Sequence, residues 1–205
     1  MNEENKLFST QNLIKMGLLS AIAVLLMQVG LRLPMFFPSF LELDFSDVPA
    51  VVGILVIHPW AGVVIPLVKN LLDVLIFGST TGYVGEASNF VVGVAYLLPL
   101  ILIMRKNKGF KGTLIGVILG IITMTITACF TNYFIMFPLY SNFMPMDKII
   151  EMGTAINPAI TDLKSLILLT IVPFNILKSS LVSTLSIALV KAMLPVMKYL
   201  SSRHI

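Results

Sequence analysis

The chain has 205 residues, of which 57% are hydrophobic and 12% charged, with a net charge of +4 and a mean hydropathy of +0.96. A soluble domain carries about 25% charged residues, so a soluble globule is excluded and lipid is the solvent this composition fits. The length allows one compact transmembrane domain over 1–205 with no separate soluble domain, and the placing of the positive charge fits membrane topology rather than nucleic-acid binding.

The chain opens on Asn2, Glu3, Glu4, Asn5 and Lys6. The apolar run behind them is too long for the core of a cleavable signal peptide, so a retained first helix is expected at about 13–31, near the roughly 20 residues that cross hydrocarbon. Arg32, Pro34 and Pro38 end it. In the first long loop, 32–47, Glu42, Asp44 and Asp47 alternate with Leu41, Leu43 and Phe45. That pattern fits an extended segment over a pocket or a solvated acidic loop, with Ser46 or Asp47 capping the second helix; on the residues alone the solvated loop is the plainer reading.

His58-Pro59-Trp60-Ala61-Gly62 reads as a break. It divides the next apolar stretch into helices at about 48–57 and 60–77, with Pro66 as an expected kink. A loop rich in Gly, Ser and Thr leads to a fourth helix at about 86–104, and the basic stretch 105–111 to a fifth at about 112–137, stopped by Pro138. A long loop then runs through Asp162, and a sixth helix is expected at about 163–197 with Pro173 inside.

Charge sets the orientation, because Lys and Arg collect in cytoplasmic loops. Lys6 and Lys15 precede the first helix, Arg105, Lys106, Lys108 and Lys111 separate the fourth and fifth, and Lys191, Lys198 and Arg203 close the chain. Six spans with a cytoplasmic N-terminus bring all three clusters inside and leave the acidic segments around Glu42 to Asp47, Glu86, Asp147 to Glu151 and Asp162 outside. Five spans would strand the last cluster outside. The fold expected is therefore an all-α integral membrane protein, a six-transmembrane-helix bundle in the cell membrane with both termini cytoplasmic.

A Lys or Asp at the middle of a span costs about 2.5–3.5 kcal/mol on insertion scales. Lys178 lies about 15 residues into the sixth helix, roughly 20 Å along it at 1.5 Å per residue. Asn175 shares its face, Ser179 and Ser183 are near, and Asn132 stands in the outer part of the fifth helix. A deep lysine with no evident ion pair favours a binding site over interhelical hydrogen bonding. Lys69 and Asp73, four apart, are expected to neutralise each other as a structural pair. Gly112, Gly116 and Gly120 form two overlapping GxxxG units, and Gly17 with Ala21 and Ala23 gives the first helix a small-residue face; each ridge packs inside the bundle or meets a partner.

Other chemistry is missing from the sequence. The single cysteine, Cys129, allows no intrachain disulfide. His58 and His204 lack neighbours at metal spacing, so no metal and no bound cofactor are expected. No P-loop, HExxH or GxSxG motif is present, so the chain is not read as an enzyme, and ATP-driven transport would need a partner ATPase. A small membrane enzyme acting on lipid, or a purely structural subunit, are the readings from other classes.

Three stretches resemble the substrate-binding S components of energy-coupling-factor (ECF) vitamin transporters: Leu41-Glu42-Leu43-Asp44-Phe45-Ser46-Asp47-Val48-Pro49; Val68-Lys69-Asn70-Leu71-Leu72 followed by Gly85-Glu86-Ala87-Ser88-Asn89-Phe90; and Pro173-Phe174-Asn175-Ile176-Leu177-Lys178. The first two are similar across several S components, whereas Asn175 and Lys178 with Asn132 point to the riboflavin-binding type; another vitamin is the nearest alternative. The resemblance implies a pocket between the first loop and the outer halves of the fourth to sixth helices. In it Asn132, Asn175 and Lys178 would hydrogen-bond the isoalloxazine ring, and Leu43, Asp44 and Phe45 would lie over the ligand. It also implies a membrane scaffold subunit and two ATPases as partners, docked partly through Gly17, Ala21 and Ala23. Whether FMN binds besides riboflavin is left open. Asp73 stands where many relatives would carry His, which leaves no role to be carried over at that position.

Overall fold

The computed structural model describes residues 7–79, 81–107 and 109–202, with side chains through Met193. Lys6, Lys108, Arg203 and His204 from the sequence reading lie outside these, as does the Lys198 side chain. Ser9 opens the first helix, α1 (Thr10–Gln28), its hydroxyl accepting from the Asn12 backbone N–H. The chain then makes a short antiparallel ribbon, β1 (Leu31–Arg32) against β2 (Glu42–Leu43), in the register Leu31 to Leu43 and Arg32 to Glu42. An exposed Arg32–Glu42 ion pair crosses it.

Helix α2 (Val48–Val56) starts with Pro49 in its first turn, where a missing N–H costs nothing. The His58–Trp60 turn separates it from α3 (Ala61–Phe77), with the Ala61 N–H donating to the His58 carbonyl at 2.9 Å. Then follow α4 (Val84–Lys106) and α5 (Phe110–Tyr140), the second interrupted by a π turn at Asn132–Met136. A short amphipathic helix, α6 (Met146–Thr154), stands where the sequence reading expects only loop. Its Ile149 and Gly153 are buried against Ile160 and Leu166, while Lys148 and Glu151 stay in solvent. Asp162 and Ser165 form a capping box that starts α7, which runs through Leu163–Leu166, a π turn at Ile167–Ile171, and Val172–Ser202.

Among the described residues, four helices are long and apolar enough to cross a membrane: Thr10–Gln28, Val84–Lys106, Phe110–Tyr140 and the Leu163–Met193 part of α7. With 9 and 17 residues, α2 and α3 reach about 14 and 26 Å, short of a hydrocarbon core of about 30 Å. Large apolar side chains such as Leu18, Leu25, Leu75, Ile126 and Leu168 point outward, as lipid-facing residues do.

The tightest helix contact is α4 on α5. A Cβ on Gly116 would come within 2.8 Å of the Leu100 Cα, and one on Gly120 would strike the Tyr96 carbonyl. The GxxxG ridge is therefore an internal seam. The Thr123 hydroxyl donates across it to the Ala95 carbonyl at 2.6 Å, and Tyr96 shares a 2.7 Å hydrogen bond with Ser183 of α7. The main apolar core lies around Ala50, Ile65, Leu97, Ile101 and Val182, with Phe45 of the first loop packed against it. A second core lies around Phe137, Ile149, Leu166 and Ile171, and a small one joins Phe37 and Leu43 to Phe174.

Candidate functional site

The first loop does not ride in solvent. Asp44, Ser46 and Asp47 are buried, and the bundle holds them by two ammonium groups. Lys178 of α7 donates to Asp44 Oδ2 at 2.6 Å, while Asp44 Oδ1 accepts the Ser46 N–H at 2.9 Å. Lys69 of α3 donates to Ser46 Oγ at 2.9 Å and to Asp47 Oδ1 at 3.1 Å. Burial works to raise the Asp44 pKa; the Lys178 and Lys69 charges and the hydrogen bonds outweigh it and hold the carboxyl below its ordinary range.

Two expectations are corrected here. Lys178 is ion-paired, because the loop carries Asp44 down onto its helix. Lys69 pairs with Asp47 and not with Asp73. It points into the bundle, where the loop acid lies, whereas Asp73, one turn on, accepts from Gln28 Nε2 of α1 at 2.6 Å. Asp47 does stand at the N-cap of α2, but its carboxylate serves Lys69 and makes no cap hydrogen bond.

Asn132 and Asn175 sit at the two irregularities of the long helices. Asn132 opens the π turn of α5, and Asn175 follows that of α7 by four residues. Each steadies its amide by donating to the carbonyl four residues earlier, Ala128 and Ile171, both at 2.8 Å. A π turn inserts a residue and re-aims the side chains around it, which is why such turns recur at functional sites.

Both amides and Lys178 line one cavity of about 180 Å³, with Leu41, Asn89 and Phe174 among its other walls. It adjoins an outer recess of about 570 Å³ lined by Gln28, Glu42, Asp44, Asp73 and Glu86, and the two share Leu41, Asn89, Phe174 and Lys178. The lining of the combined space mixes apolar residues, Leu41, Val92, Met124 and Phe174, with amides, one ammonium and carboxylates. Glu86 is braced by the Ser79 hydroxyl at 2.9 Å.

Of the loop residues named from sequence, Asp44 lines the recess, but Leu43 and Phe45 are in neither wall. Leu43 is buried with Phe37 and Phe174, and Phe45 packs against that cluster and the main core. Successive side chains of extended backbone alternate in direction, so Glu42 and Asp44 turn to the recess while Leu43 and Phe45 anchor the loop. The sequence reading assigned no role to the wall residues Leu41, Phe174, Gln28 and Asn89; for Asn89 the signal was its spacing from Glu86, which puts both on one face of α4.

On α1, Gly17 and Ala21 are on the outer surface, and a Cβ on Gly17 meets nothing within 4 Å. Ala23 is 0% exposed and belongs to the main core. Two residues from Ala21 on a 3.6-residue helix is more than half a turn, so Ala23 leaves the docking face expected for it. A separate cavity of about 600 Å³ opens at the opposite end, among Ile54, His58, Met104, Phe110, Thr113 and Lys191. Aromatic and cationic groups meet there, Arg105 over Trp60 at 5.5 Å and Lys191 over Phe110 at 4.7 Å.

Comparisons with known proteins converge on one family. The family model for the ECF transporter, substrate-specific component, matches residues 11–190. The chain is 32% identical over 198 residues to the riboflavin transporter FmnP of Bacillus subtilis, covering 95% of this chain and 98% of that protein. It is 36% identical over 191 residues to the riboflavin transporter RibU of Staphylococcus aureus, covering 92% and 94%. A solved structure described as the S component of a bacterial ECF transporter superposes with a TM-score of 0.69 at 34% identity, over 91% of this chain and 96% of that one. The chain belongs to the substrate-specific S components of ECF transporters, multi-pass proteins of the cell membrane that serve in transport and are not enzymes.

Proposed function

We propose that this chain is the riboflavin-binding S component of an ECF importer, taking the vitamin from outside into the space beneath its first loop. The observation that carries the reading is the meeting of Asn132, Asn175 and Lys178, from two long helices, in the lining of one cavity together with apolar side chains. Isoalloxazine matches that mixture. Its pyrimidine edge carries carbonyls and its dimethylbenzene edge is apolar. Lys178 spends one of three N–H donors on Asp44 and has others for a ring carbonyl, while Asp44 keeps the ammonium aimed and its charge balanced. Glu42, Asp73 and Glu86 around the recess offer acceptors to ribityl hydroxyls. The likeness to riboflavin transporters over nearly the whole chain supports the same ligand.

In this reading 1–205 is one transmembrane domain crossing six times, with α2 and α3 as short crossings and both termini in the cytoplasm. Charge supports it: Glu42, Asp44, Asp73 and Glu86 gather at the first-loop end, and Arg105, Lys106 and Lys191 at the other. The apolar rim faces membrane lipid. Release to the inside then requires the ECF scaffold subunit and its two ATPases, met partly through the outer face at Gly17 and Ala21. FMN, a phosphorylated flavin, is a further candidate ligand for the same space. Purified protein titrated into riboflavin is expected to quench its fluorescence at about one ligand per chain, with FMN as the second titrant. A colourless preparation that leaves riboflavin fluorescence unchanged would falsify the flavin assignment.

A further inference from the structure

The cavities at the two ends of the bundle differ in charge. Glu42, Asp44, Asp73 and Glu86 line the recess at the first-loop end. The cavity of about 600 Å³ at the other end has no carboxylate in its lining and shares no residue with the two beneath the first loop. Its volume falls within the roughly 300–1,000 Å³ of ligand pockets. It has no part in the flavin site proposed above.

Four helices build its walls. Ile54 and Val56 come from α2, Met104 from α4, Phe110 from α5, and Ile187 and Lys191 from α7. The Thr113 hydroxyl in the wall is already spent on Met104 Sδ and the Gly109 carbonyl, at 3.4 and 3.3 Å. The interior is therefore apolar and the charge stands at the rim. Lys191 lies over the Phe110 ring, and Arg105, next to Met104, lies over Trp60. Both cations are exposed, and neither pairs with a carboxylate among the described residues. A ring face holds a cation in place and leaves its charge unneutralised.

An occupant that satisfies both parts is apolar along its length and anionic at its head. The mouth also borders surface of the kind that faces lipid. Phe110 is exposed as well as lining the cavity, Leu114 is exposed one turn on, and exposed Leu189 and Met193 flank Lys191. A phospholipid reaches such a mouth from the bilayer. The cations then select the headgroup, because basic pockets between transmembrane helices on the cytoplasmic side take anionic ones.

We propose that this cavity is a site for one anionic phospholipid, an acyl chain lying among Ile54, Met104 and Ile187 and the phosphate drawn to Lys191 at the mouth and to Arg105 near it. Only the choice of the cytoplasmic leaflet rests on the orientation proposed above.

The test uses the full-length protein, stripped of lipid in neutral detergent. The probes are dioleoylphosphatidylglycerol, the phosphatidylcholine with the same chains, and glycerol phosphate. Native mass spectrometry is expected to show one phosphatidylglycerol retained per chain and no phosphatidylcholine. Phosphatidylglycerol at about a hundredfold excess over its dissociation constant is expected to raise the melting temperature by about 5 °C, and glycerol phosphate to leave it unchanged. Lys191→Ala combined with Arg105→Ala is expected to weaken phosphatidylglycerol about thirtyfold. Lys148→Ala combined with Lys164→Ala, an equal loss of charge at the first-loop end, is expected to leave it unchanged.

Equal retention of the two lipids overturns the proposal, and so does glycerol phosphate stabilising the protein as well as the lipid does. Both comparisons need only wild type, so they decide the matter even where a variant fails to fold. Undiminished phosphatidylglycerol affinity in the Lys191 and Arg105 variant, or an equal loss in the Lys148 and Lys164 variant, overturns it too. No retained lipid, with loss of scaffold assembly in the Lys191 and Arg105 variant, gives the cavity to the partner subunit instead. None of these measurements involves riboflavin, so failure of the flavin reading is seen separately.

Discussion

The first loop is fastened at two points by the same chemistry, and the two differ in what surrounds them. Lys69 is 1% exposed and lines neither cavity; it spends its ammonium on Ser46 and Asp47 inside the bundle. Lys178 is nearly as buried at 7%, yet it is in the wall of both cavities and holds one carboxylate. Burial and charge are the same at both sites. Access to a cavity separates a lysine that builds the fold from one placed to meet a ligand.

Breaking the inner anchor is expected to have the largest effect. Lys69→Ala leaves Asp47 buried without its cation, which costs about 3–5 kcal/mol, read as a fall in the melting temperature of the detergent-solubilised protein. Lys178→Ala is expected to act on the ligand more than on the fold. Asp44 is buried as well but lines the larger recess, so its loss of a cation costs the fold less than at Asp47, while riboflavin loses a charge-assisted hydrogen bond of about 1.5–3 kcal/mol, an affinity loss of about ten- to a hundredfold. Equal melting losses for the two variants would erase the distinction between the anchors.

A smaller effect is expected at Asn175→Ala, about 1 kcal/mol in riboflavin affinity for one neutral hydrogen bond, measured in the same titration. Acidity tests the outer anchor differently. Asp44 has its pKa lowered in the folded chain, so its contribution is complete above the ordinary Asp value of about 3.9 and fades only as pH falls below that toward the folded value. Riboflavin affinity is expected to stay level from about pH 7 to about pH 5; a decline within that interval would mean that the Asp44 pKa is raised, with burial outweighing the Lys178 charge. The smallest effect on binding is expected from Gly17→Leu, whose added side chain enters open space. Affinity stays within about twofold, while uptake by cells carrying the ECF partners is lost. Ala23→Leu, on the core side of the same helix, instead lowers the melting temperature by overpacking.

What the sequence made readable followed from local rules. The His58–Trp60 break and the helices beside it are visible as an apolar run interrupted by Pro, and the cost of charge in hydrocarbon singles out Lys178. Asn132, Asn175 and Lys178 do come to one cavity. The rest depended on contacts between distant segments. No local pattern pairs Asp44 with Lys178, 134 residues away, or sends Lys69 past Asp73 to Asp47. The inward turn of Leu43 and Phe45 depends on which way the loop faces the bundle. The α6 helix is amphipathic and short, and only its packing on Ile160 and Leu166 makes it a buried element.

The most direct test is a riboflavin titration of wild type beside Lys69→Ala and Lys178→Ala, with melting temperature and affinity read on each preparation. The account predicts saturable binding to wild type at about one flavin per chain, a large melting loss at position 69, and at position 178 a large affinity loss with a much smaller melting loss. Full riboflavin affinity in Lys178→Ala would contradict it, because the cavity wall would then not be where the ligand is held.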